Sequence, residues 1–189
     1  MYLPAIFVCS ASCVALFIAW VKWREPLFSM ELSKSHVRYN HKFGSWQLTW
    51  QNIQRIDIPR VTSGLTAHNL DMVGFRIKDY QALLDTISPR LSSALLMEQR
   101  PLLLHDSAAQ CAKGNCHQLD EILHDHYVTP NGVRYTGLQA SLGHRMTTLR
   151  RTLGYDLFIA AAELDRPADE FVGLLRRCHQ FVLSEREPD

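Results

Sequence analysis

The first long segment of the chain has no polar face. Leu3 to Val21 reads LPAIFVCSASCVALFIAWV, without a charge, and only Pro4, Ser10 and Ser12 interrupt its apolar character. Those nineteen residues, at a helical rise of about 1.5 Å each, reach roughly 28 Å, close to the thickness of a bilayer's hydrocarbon core. Trp20 and Trp23 stand where an interfacial aromatic belt belongs; Lys22 and Arg24 are interleaved, and Pro26 ends the helical pattern. The pattern predicts a transmembrane helix within residues 1–26. A cleaved signal peptide needs a positive start and a small-residue cleavage site, and both are missing. A lipid-modified Cys13 fits poorly, because apolar sequence continues past it. A buried core helix would show a polar side. No Lys or Arg precedes the segment, whereas Lys22, Arg24, Lys34, Arg38 and Lys42 follow it. The positive-inside rule then puts the remainder on the cytoplasmic face of a single-pass protein. So short a leading segment also raises the expectation of an earlier helix upstream.

Beyond residue 26 the period changes to two. Phe28, Met30 and Leu32 alternate with polar residues, as do Val37 and Tyr39, then Trp46, Leu48 and Trp50, then Ile56 and Ile58. Lys42-Phe43-Gly44 supplies a turn, so residues 27–59 predict an antiparallel meander. Residues 60–69 predict a loop, and Met72 to Ile77 another strand. Helical spacing follows. Asp79 is placed to cap a helix bearing Tyr80, Leu83, Leu84 and Ile87, and Ser88-Pro89 opens a second with Leu91, Leu95 and Leu96. A polar helical region is expected from Asp106 to His126, and a turn at Pro130-Asn131-Gly132. Leu138, Leu142, Met146, Leu149 and Leu153 mark the buried stripe of a helix that Gly154 can terminate. Tyr155 to Ala160 predicts a last strand. A last helix starts near Asp165 and Pro167 and buries Phe171, Leu174, Leu175, Cys178 and Val182. Strands first, then helices with one late strand, indicate an α+β class.

The 189 residues suffice for one domain of ordinary size plus an anchor. A net charge of +1 gives no whole-molecule field for nucleic acid or acidic partners. Of five cysteines, Cys9 and Cys13 lie in the apolar segment, and Cys111, Cys116 and Cys178 cannot all pair, which favours a reducing compartment.

The stretch from Gly44 to Pro59, GSWQLTWQNIQRIDIP, resembles the strand-turn-strand signature of bacterial pleckstrin-homology-like domains. Val73 to Tyr80 (VGFRIKDY), Leu153 to Ile159 (LGYDLFI) and Leu164 to Phe171 (LDRPADEF) are similar to an uncharacterised family of bacterial inner-membrane proteins carrying such a domain. The resemblance covers most of residues 27–183. It implies an N-terminal transmembrane helix, then a pleckstrin-homology-like bent antiparallel sheet with a helical insertion at about 79–153 and a C-terminal helix, leaving 184–189 as a flexible tail. It implies a bacterial inner membrane and transfers no catalytic residue.

Candidate chemistry is thin. Cys111 and Cys116 followed by His117 resemble a rare, wide-spaced haem-attachment motif, of a kind that occurs outside the cytoplasm, and with His124 and His126 they supply zinc-type ligands whose spacings do not match known structural sites. An exposed polar helix with incidental Cys and His is the favoured reading. There is no nucleophile elbow, P-loop or dinucleotide fingerprint. Asp57 stands alone beside a strand end. Trp46 and Trp50 read as core rather than a ligand-stacking pair. We assign no catalytic residue, metal ligand or cofactor. His144, Arg145, Arg150 and Arg151 lie on the side of their helix away from the leucine stripe and are expected to face outward, toward anionic lipid head groups or an unidentified membrane protein. The expected function is a membrane-tethered, non-enzymatic interaction or scaffold module, the alternative a metal- or haem-binding protein.

Overall fold

A computed structural model describes residues 2–23, 28–63, 66–103 and 126–185. Helix α1 (Tyr2–Trp23) is 22 residues long, which at about 1.5 Å per residue is roughly 33 Å. Its segment Ile6–Trp23 is long and apolar enough to cross a membrane, and none of it is buried inside the protein.

The meander forms β1 (Met30–Leu32), β2 (His36–His41) and β3 (Gly44–Thr49), an antiparallel sheet in that order. Alternation sends Val37, Tyr39, Trp46 and Leu48 to the core, each no more than 2% exposed. The edge strand departs from the sequence expectation. Phe28, ahead of β1, is 73% and Leu32 38% exposed, while Met30 packs partly buried against the core; β1 is an edge strand that pairs on one side only. Trp50 lies in a 3-10 turn after β3 (Trp50–Asn52) and not in the strand, yet it is buried and donates from Nε1 to Ser33 O at 2.7 Å.

That turn leads into β4 (Ile53–Asp57) of a second sheet, whose order is β10 (Leu157–Ala160), β7 (Met72–Ile77), β4, all antiparallel. Over 60–69, in place of the expected loop, β5 (Arg60–Ser63) and β6 (Thr66–Asn69) are antiparallel paired strands. The pairing of β4 with β7 simply continues outward past Pro59, whose carbonyl accepts from Leu70 N. No apolar alternation marks such a backbone-paired arm. Trp46 meets Phe75 edge-on with ring centroids 5.6 Å apart, joining the two sheets across one core.

Between β7 and β10 come α2 (Gln81–Leu84), α3 (Pro89–Glu98), the hairpin β8 (His126–Val128) and β9 (Arg134–Thr136), and α4 (Gly137–Leu153). Asp79 Oδ1 accepts from Gln81 N, Ser88 Oγ caps α3 through Leu91 N, and Gly154 ends α4 at φ +81°. His126, expected at the end of a polar helix, opens β8. Leu138, expected in the buried stripe of α4, is 43% exposed because it sits in the helix's first turn, at the domain edge. Helix α5 (Ala168–Ser184) packs Phe171, Val172, Leu175 and Val182 onto the second sheet, with His179 Nε2 bonded to Trp50 O and Arg176 Nε to Ile56 O.

Gly143 in mid-helix costs about 1 kcal/mol of propensity relative to Ala. It is required because Tyr127 of β8 lies on it: a Cβ there would stand 2.6 Å from the ring. We predict that Gly143→Ala destabilises the protein by about 1–3 kcal/mol despite its better helix propensity, measurable by denaturant unfolding of the full chain in detergent.

Candidate functional site

The most concentrated polar chemistry in the described residues surrounds Asp156, which is fully buried. A carboxylate in an apolar interior must be paired and hydrogen-bonded on both oxygens. Oδ1 accepts from Arg150 Nε at 2.7 Å and from Tyr80 OH at 2.6 Å. Oδ2 accepts from Arg150 Nη2 at 2.6 Å and from Ile77 N at 2.8 Å. Arg150 Nη2 also donates to Ile77 O, and its guanidinium lies 4.8 Å from the Tyr80 ring centroid. Tyr80 stacks on Tyr127, which meets His144 edge-on at 5.1 Å. Burial, then the Asp156 charge and hydrogen bond, push the Tyr80 hydroxyl far above its usual range, so it stays a donor. Both Asp156 oxygens are thus bonded within the fold, each to two donors. The cluster's chemistry is that of a clamp.

A second cluster joins β2, α3 and the turn after β10. Tyr39 OH donates to Glu163 Oε2, and the buried His41 places Nε2 at 3.4 Å from Glu98 Oε1 and 3.7 Å from Glu163 Oε1. Burial, then Glu163, raises the Tyr39 hydroxyl well above the ordinary tyrosine range. A third lies near the surface. Asp57, which the sequence leaves alone, receives Arg55 Nη2 at 2.8 Å and Arg176 Nη2 at 2.7 Å. Burial works to raise its pKa, but the hydrogen bonds from Arg55 and Ile58 N and the charges of Arg176 and Arg55 outweigh it and hold the carboxyl below its usual value.

The four residues expected to form one outward basic face do not share a surface. Arg151 is exposed and His144 half-buried, its Nε2 bonded to His126 O at 3.0 Å. Arg145 is only 8% exposed and donates to Leu96 O at 3.3 Å; burial, then Arg100, lowers its pKa. Arg150 turns inward to Asp156. A helix packed on both α3 and β8 has too narrow a solvent side for all four. The missed signal was Asp156 itself, a lone acid inside the apolar run Tyr155 to Ile159, which demands a cation nearby. Trp46 and Trp50 are buried, in agreement with a core role. Cys111, Cys116, His117 and His124 lie outside the described residues. Among the described residues no three His, Cys, Asp or Glu are grouped to hold a metal ion.

A different surface gathers exposed apolar side chains. Phe43 at the β2–β3 turn, Arg90, Ala94 and Met97 of α3, and Leu138 of α4 line an open groove of about 440 Å³. Lys42 Nζ and the Arg90 guanidinium lie 5.1 and 5.7 Å from the Phe43 ring centroid.

Residues 30–181 match the model of a family described as a protein of unknown function, DUF2982. The chain belongs to the DUF2982 family. No curated protein and no solved structure matches it.

Two outcomes follow from the clusters. Arg150→Gln should cost about 3–5 kcal/mol, since it leaves the buried Asp156 carboxylate without its cation; Asp156→Ala should cost less, because the Arg150 side chain it leaves is 29% exposed; an outward arginine would cost within about 0.5 kcal/mol. Denaturant melts of the full chain decide between them. Asp57 has a folded pKa below its unfolded value, so its contribution is present above the ordinary carboxylate range, near pH 4, and is lost as pH falls through the folded value. Asp57→Asn should therefore cost about 0.5–1 kcal/mol at pH 7, and the difference from wild type should vanish toward pH 2.

Proposed function

We propose that this DUF2982 chain is a membrane-tethered, non-enzymatic interaction module, held by α1 on the cytoplasmic face of a bacterial inner membrane. The observation that carries the reading is α1: a helix of membrane-spanning length, exposed along its described side chains, directly preceding a well-packed α+β domain. An exposed apolar surface of that extent needs a non-aqueous environment. The orientation rests on the run of Lys22, Arg24, Lys34, Arg38 and Lys42 after the helix.

The domain, on this reading, is of the pleckstrin-homology-like kind. Supporting it are two three-stranded antiparallel sheets facing one core and a C-terminal helix laid over the turn between them. Residues 79–153 are then an insertion, leaving one strand and returning to its antiparallel neighbour. The non-enzymatic reading is supported by the nature of the buried polar clusters, which consume their donors and acceptors internally. Its partner is the membrane together with lipid head groups or a membrane protein.

A reporter active only in the cytoplasm, fused after Asp189, is expected to work, and one active only in the periplasm is expected to fail. The opposite pair of results would reverse the orientation, and release of the full chain from membranes at alkaline pH would remove the span.

A further inference from the structure

We infer that the end of the domain bearing Lys42, Phe43, Arg90, Met97 and Leu138 docks into the surface of an anionic bilayer leaflet. The inference rests on the reading of α1 as a membrane span. The starting point is where the chain enters the domain. Trp23, the last residue of α1, and Phe28 are joined by five peptide steps, which reach at most roughly 18 Å when fully extended. The entry point therefore lies close to the membrane surface whatever path the connection takes.

Strand register then says which end of the domain that is. Met30 pairs with Tyr39, and Asn40 N donates to Ser29 O at 2.8 Å. The chain thus enters beside Asn40, adjacent to the Lys42–Phe43 turn, and Lys34 stands at the far end of the same strands. At about 3.4 Å per residue, β2 separates the two ends by roughly 17 Å.

The near end has the chemistry of a bilayer interface. Phe28 is 73%, Met97 73%, Leu138 43% and Phe43 36% exposed. These side chains would face water in a free domain but suit the head-group and upper acyl region. The two cations against Phe43 have flexible stems and charged heads that reach phosphate while the ring enters the apolar layer. The nearby acids, Glu98 and Glu163, are turned to His41. The two cations at the Phe43 ring fit an anionic leaflet, with about 1 kcal/mol per cation near it.

The test uses the full chain in proteoliposomes, with a benzophenone amino acid placed in turn at Phe17, Lys34, Phe43 and Met97, and lipid adducts read by mass spectrometry. In vesicles containing phosphatidylglycerol, adducts are expected at positions 17, 43 and 97 and not at 34. In pure phosphatidylcholine the yields at 43 and 97 should fall by about fivefold or more, the factor set by roughly 1 kcal/mol for even one cation. Adducts at 17 but not at 43 or 97 would overturn the docking and leave the span standing. Equal adducts at 34, or chain-to-chain adducts at 43 and 97, would also overturn it, the latter by showing an interface between copies. Equal yields in both vesicle types would overturn the anionic leaflet. No adduct at 17 would overturn the span and the docking with it.

Discussion

A single buried carboxylate holds together the part of the domain with the longest chain path. Asp156 stands where the chain returns to the second sheet, and its oxygens are bonded to Ile77 N, Tyr80 OH and Arg150. Ile77 ends β7, Tyr80 begins the departing segment, and Arg150 is in the last turn of the helix that brings it back. One side chain therefore pins both the exit and the return of a segment of some seventy residues. Closing a long loop costs entropy that grows only slowly with length. A clamp at its neck offsets part of that cost, and the demand on it depends little on the exact length of the segment.

The clamp also explains the arrangement around it. Arg150 is desolvated by the packing of α4, and its loss of water is offset by a bidentate pair and by the Tyr80 ring. Tyr80 in turn stacks on Tyr127, and Tyr127 lies on Gly143. The hairpin β8–β9 is thus positioned from the same carboxylate through two rings and a bare backbone. The polar cluster of Tyr39, His41, Glu98 and Glu163 performs a comparable task on the other flank, tying α3 and the turn after β10 to the first sheet.

Local signals in the sequence matched local structure. Alternation placed Trp46 and Leu48 in the core, Ser88-Pro89 began a helix, and Gly154 ended one, because each depends only on neighbouring residues. What failed depended on partners distant along the chain. The outward expectation for Arg145 and Arg150 came from helical periodicity, which registers the leucine stripe but not a buried acid beyond the helix end or the carbonyl of Leu96. Asp57 looked solitary because Arg176 is 119 residues away. The β5–β6 arm escaped notice because it is held by backbone pairing, to which hydrophobic pattern is blind. The apolar groove was also invisible: Phe43, Met97 and Leu138 come from three separate elements.

The groove's modest chemistry raises the question of whether so few groups can orient a domain. Two cations and a few half-exposed apolar chains would give weak attraction to a bilayer for a freely diffusing protein. With α1 in the membrane the comparison changes. A tether of five peptide steps confines the domain to a thin layer, where the effective concentration of the surface is in the millimolar range or above. The translational cost of association has then already been met by the insertion of α1, and what remains is the choice among orientations. A difference of about 1–2 kcal/mol between ends of the domain is enough to populate one orientation by roughly fivefold to thirtyfold. The end with Phe43 and Arg90 has that advantage and is also the end the tether reaches first. Docked there, the domain would turn its opposite end, around Lys34, toward the aqueous side.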